Sequence, residues 1–152
     1  MERLGIIALL VALGSGIAIG IQATLNNWAS KIVGPVTTGL FVNFAGGVIC
    51  ALILLALMLA RQLPTQASLW QAAPSLVFAG AIGIFIVAGI SYALPRIGIA
   101  AGLAAVILGQ LLVATVVDSF GWGGAQPTPL SVSRIAGLAL LALGTFLLLQ
   151  RR

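Results

Sequence analysis

Only nine of the 152 residues carry a formal charge, and the seven basic ones fall at or between the ends of long apolar runs. A spanning helix needs about 20 mainly apolar residues. Five segments qualify: about 4–26, 36–60, 74–94, 97–119 and 131–150. Pro35, Pro64, Pro74, Pro95, Pro127 and Pro129 fall at or between the ends of these segments, where proline is best tolerated. Hydrophobic residues make up 61% of the chain and mean hydropathy is +1.23. No soluble domain of this length hides that much apolar surface. The expected fold is an all-α membrane protein, a single domain over 1–152 with five transmembrane helices. The first run follows Met-Glu-Arg as a signal peptide would. It continues to Thr24 without a clean cleavage site, so it reads as a retained helix.

The basic residues bear on orientation. Threading five helices through a bilayer puts Arg3, Arg61 and Arg134 on one side and Lys31, Arg96, Arg151 and Arg152 on the other. Lys/Arg asymmetry is what normally fixes topology, and three against four gives almost none. Either something else sets one orientation, or copies insert both ways and pair antiparallel as a ten-helix homodimer. With five helices the two termini lie on opposite faces. Inverted repeats are a recurring plan of secondary transporters, and an inverted second copy supplies one. No internal repeat is evident within the chain itself.

Composition also bounds the chemistry. The net charge of +5 is dispersed at segment ends, as interfacial anchors are, and is no nucleic-acid footprint. Without histidine the commonest zinc and haem ligand and the usual triad base are missing. Glu2 and Asp118 are the only acidic residues and lie far apart. Neither an enzyme nor a metal or other cofactor is expected. Cys50, alone in an apolar run, reads as a packing residue. Trp28, Trp70 and Trp122 stand near segment boundaries, as an aromatic belt would.

Polar groups at membrane depth are costly and point to packing partners or to a pathway. Gln110, near the middle of the fourth segment, makes either an interhelical hydrogen bond or part of a cavity wall. Ser15, Gln22 and Asn26 fall within roughly 40° of one face of the first helix. Asn43 shares a face of the second with Gly39, Gly46 and Gly47, small residues that favour close helix approach. Gly98, Gly102, Ala105 and Gly109 repeat that pattern in the fourth. Ser91 and Tyr92 either reach an interior cavity or mark the interface. Asp118 either pairs with an arginine or caps a turn, or takes up a proton or cation during transport.

Four stretches in order carry a resemblance: GIQATLNNWASKIVGPVTTGLFVNFAGG from Gly20, LPRIG at 94–98, GQLL at 109–112 and DSFG at 118–121. Together they resemble the YdcZ-like family of the drug/metabolite transporter superfamily, over essentially the whole chain. The last three helices also resemble the small multidrug resistance proteins, whose closing helix joins two subunits through glycines seven residues apart. Gly137 and Gly144 have that spacing here, which implies a homodimer contact through the fifth helix. Those proteins carry a membrane-embedded glutamate on the first helix. This chain offers Ser15, Gln22 and Asn26 there instead, which argues against proton-coupled export of cationic drugs by that mechanism.

The expected protein is thus a small secondary transporter of the bacterial inner membrane. Its pathway lies between two inverted subunits, or between the chain and an oppositely oriented paralogue. Ser15, Gln22, Asn26, Asn43, Tyr92 and Gln110 line it, and the solute is neutral or weakly polar. Two other classes compete: a dual-topology ion channel lined by Asn43, Phe41 and Phe44, and a membrane assembly subunit without transport.

Overall fold

In the computed structural model residues 2–61, 66–122 and 126–150 are described, without the side chains of residues 2–4 and 66–69. They form five helices: α1 (Glu2–Val33), α2 (Pro35–Leu59), α3 (Gln66–Ile97), α4 (Ile99–Phe120) and α5 (Val132–Gln150). The fold is all-α, and each helix contains a stretch long and apolar enough to cross a membrane. Hydrocarbon offers backbone N–H and C=O groups no partner, so helices that satisfy themselves are the form such sequences take.

Two helices are longer than their apolar patterns indicate. The polar run Asn26–Asn27–Trp28 does not end α1, because nothing in it breaks the backbone ladder. The helix continues to Val33 and stops where Gly34 and Pro35 intervene. Proline then takes the first position of α2, where its missing N–H costs nothing. Likewise α3 begins at Gln66, eight residues before Pro74. Pro74 and Pro95 lie inside α3 rather than between helices, which corrects their expected placement. Each withholds one N–H from the carbonyl four residues earlier.

The chain divides into two compact units, residues 1–92 and 93–152. In the first, α1 and α2 form a hairpin around Gly34 and α2 passes close to α3. A Cβ on Gly39 would lie 2.9 Å from Ala88 Cβ, 3.0 Å from Ala88 N and 3.1 Å from the Ile84 carbonyl oxygen. The second unit pairs α4 with α5. There Leu94 is seated over Gly102, whose added Cβ would meet Leu94 Cδ1 at 2.8 Å.

Burial inverts the soluble pattern. Among the described residues the buried apolar ones are Ala23, Leu94 and Ala101, whereas Asn26, Ser30, Thr38, Ser91 and Thr145 are buried polar ones. Large apolar side chains, from Ile6 on α1 to Leu149 on α5, face outward. Lipid is as apolar as leucine, so it is small and hydrogen-bonding residues that hold membrane helices together.

Gly39→Ala forces backbone against backbone at the α2–α3 crossing and should destabilise the folded protein by about 1–3 kcal/mol. Gly80→Ala, where an added methyl meets nothing within 4 Å, should leave the detergent-solubilised melting temperature unchanged or raise it.

Candidate functional site

The residues expected to line a pathway divide between buried and outward-facing positions. Burial on α1 is confined to its last third, beside the hairpin: Ala23, Asn26 and Ser30 are buried and Asn27 is half-buried. Spacing alone put Ser15 and Gln22 on the same stripe as Asn26, yet both are exposed. Ser15 Oγ donates to the Val11 carbonyl at 2.9 Å. Asn43 is half-buried on α2, where its Nδ2 donates to the Gly39 carbonyl at 2.8 Å. Its Oδ1 faces α3, where a Cβ on Gly83 would stand 3.2 Å away. Asn43 thus sits at the close crossing of α2 and α3, joined to the glycine that allows it.

Tyr92 on α3 is 54% exposed and Gln110, in mid-helix on α4, is exposed. Gly137 is exposed and Gly144 half-buried on α5, and a methyl added to either meets no atom within 4 Å. Two turns apart, they leave a smooth notch along one side of the helix.

Among the described residues eight hydroxyl groups, on Ser15, Thr24, Ser30, Thr38, Ser75, Thr115, Ser119 and Thr145, donate to the carbonyl three or four residues earlier. This is how such residues satisfy themselves within a helix. Ser91 departs from it: the residue is 1% exposed and its Oγ has no partner. Asn27 Oδ1 is in the same position, buried and unpartnered. Asn27, Ser30 and Thr38 were not singled out from the sequence. Their signal is the spacing of Ala23, Asn26, Asn27 and Ser30, which puts them on one helical face leading into the Gly34–Pro35 break.

Asp118 has a defined partner. Its Oδ2 accepts from Arg134 Nη2 at 3.1 Å, joining the end of α4 to the first turn of α5. The Asp118 carbonyl also accepts from the Thr128 N–H at 2.8 Å, which anchors Thr128 to the end of α4. Ser131 Oγ accepts from the Arg134 N–H at 3.3 Å. Below the ion pair lies an open cleft of about 350 Å³, lined by Leu111, Ala114, Thr115, Gly137 and Leu138. The arginine pairing is one of the structural roles expected for this carboxylate. Phe120 and Trp122 stack at 5.3 Å beside it.

Both charged side chains are more than a third exposed, so the pair contributes little, about 0.2–1 kcal/mol. A double-mutant cycle of Asp118→Asn and Arg134→Gln, read by thermal unfolding in detergent, should return a coupling in that range.

A family model described as "Putative inner membrane exporter, YdcZ" matches residues 7–147. No curated protein and no solved structure matches the chain. The family match runs from the first turns of α1 to the end of α5 and takes in all five membrane helices. The chain therefore belongs to the YdcZ family of the drug/metabolite transporter superfamily, and is a multi-pass membrane transporter of the inner membrane.

Proposed function

We propose that the protein exports a small neutral or weakly polar solute by alternating access, as an antiparallel homodimer of ten helices. No chemical step is involved. The observation that carries this reading is the position of Gln110, an amide in the middle of α4 on the outside of a single chain. Lipid cannot hydrogen-bond it, so a second copy or a polar path must cover it. Gln22 on α1 makes the same demand.

The notch at Gly137 and Gly144 has room for a facing helix. The near-even division of basic residues lets copies enter the membrane both ways. No acidic residue lies between Glu2 and Asp118, which favours an uncharged solute moving along a path lined by Ser15, Gln22, Asn26, Asn43, Tyr92 and Gln110.

In a Cys50→Ala background, co-expressed Gly137→Cys and Gly144→Cys proteins should cross-link to one another and neither to itself, because antiparallel helices bring position 137 opposite 144. Self-cross-linking of each in preference to the mixed pair means parallel subunits and removes the inverted dimer.

Two lysines added to the α2–α3 linker should drive every copy into one orientation, read by labelling a loop cysteine from each side of sealed vesicles. Co-expression with an oppositely biased copy should restore the mixed 137–144 cross-link.

A further inference from the structure

We propose that Asn27 and Ser91 are the hydrogen-bonding residues that hold the transported solute, and that this solute is a small uncharged molecule rich in N–H or O–H donors. The proposal rests on the reading of the protein as an exporter of neutral solutes and assigns its binding site to residues in the first compact unit.

The first four helices contain one structural unit twice. Helices α1 and α3 are both 32 residues long, and each ends at the residue before a glycine, Gly34 or Gly98. Those glycines share an unusual backbone, φ 84° and ψ 158° against φ 88° and ψ 153°. Side chains are essentially excluded from that region. Their hydrogen bonds match as well. The Gly34 N–H donates to Ser30 and the Gly98 N–H to Leu94, at 3.0 and 2.9 Å. In turn the Gly34 and Gly98 carbonyls accept from Thr38 and Gly102, at 3.0 and 2.9 Å. A shift of 64 residues maps every one of these positions onto its counterpart. The repeat is nearly silent in the sequence, because few aligned residues are identical.

The same shift carries Asn27 onto Ser91. These two residues hold buried, unpartnered side-chain oxygens at matching positions, seven residues before the glycine of each unit. Seven residues place each about 10 Å in from the end of its helix. One orphaned oxygen has a trivial explanation; two at equivalent positions point to a shared use, since buried polar groups are otherwise almost always satisfied.

Ser91 offers more than its hydroxyl. Pro95 lies four residues on and has no N–H to give to the Ser91 carbonyl. Ser91 could have satisfied its own hydroxyl on the preceding turn, as eight others do, and it does not. The unpartnered groups are an acceptor, Asn27 Oδ1, and a hydroxyl of either sense, Ser91 Oγ, beside a carbonyl relieved of its usual helical donor. A matching ligand brings at least two donors. Lys31, one turn from Asn27, disfavours a cation. A polyol or a primary amide fits.

The test uses a methanethiosulfonate reagent on sealed membrane vesicles carrying the full chain in a Cys50→Ala background. A thiol reacts as thiolate, which forms only where water reaches. Cysteines at Asn27→Cys and Ser91→Cys should react at least about tenfold faster than at outward-facing Phe85→Cys. In parallel, Ser91→Ala should melt at the same temperature as the parent or higher, because it removes an oxygen that nothing in the chain satisfies. Reaction at positions 27 and 91 no faster than at 85 overturns the proposal, and so does a clear fall in the melting temperature of Ser91→Ala, which reveals a structural partner. Either result with the mixed 137–144 cross-link intact removes this site and leaves the inverted dimer standing.

Discussion

Backbone hydrogen bonding in a solvent that supplies none is the constraint from which the rest of the fold follows. Every turn within the bilayer must be closed by the chain itself. The protein meets this by changing helix direction through single residues. At Gly34 the N–H still reaches back to Ser30 and the carbonyl still accepts from Thr38, so the ladder is carried through the break. Gly98 does the same between Leu94 and Gly102. Only glycine adopts the backbone that makes this possible. Pro74 and Pro95 inside α3 each withhold an N–H from this ladder, and Pro95 does so at Ser91, whose buried hydroxyl has no partner.

Packing follows the same logic. Oily side chains gain nothing by moving from lipid to protein, so they remain outside. What draws the helices together is close approach over glycine and satisfaction of polar groups. Among the described glycines that approach is tightest at Gly39 and Gly102, with Gly83 next against Asn43 Oδ1. Gly46, Gly47 and Gly109 meet nothing within 4 Å. A face of small residues is thus not one device: part of it closes contacts within the chain and part remains open.

Much of the architecture was legible in the sequence, because a hydropathy signal is strong over 20 residues. The number of helices, the membrane setting and the Gly34–Pro35 break could all be read directly. Family membership was carried by four ordered motifs. Helix ends were harder: Asn26 looks like a boundary, yet polar residues alone do not interrupt a ladder, and Pro74 looks like a start although a membrane helix absorbs it. The α1 stripe of Ser15, Gln22 and Asn26 shows the limit of periodicity. Angle around a helix is set by spacing, but burial is set by where a neighbour lies, and only Asn26 is near enough to the hairpin to be covered. Asp118 could be assigned a structural partner by its chemistry, but not which arginine. The repeated unit was invisible because it is written in backbone torsions and not in side-chain identity.

A connection one residue long has a mechanical consequence. With no slack at Gly34, α1 and α2 cannot slide past one another along their axes as pistons would; sliding would first have to pull the carried-through hydrogen bonds apart. What remains is a scissor motion, an opening of the angle between two stiff rods about a pivot with no side chain to obstruct it. Because the pivot lies at one end, a small rotation there becomes a large displacement at the far end of each rod. Any switching between inward- and outward-facing forms is then steered towards splaying.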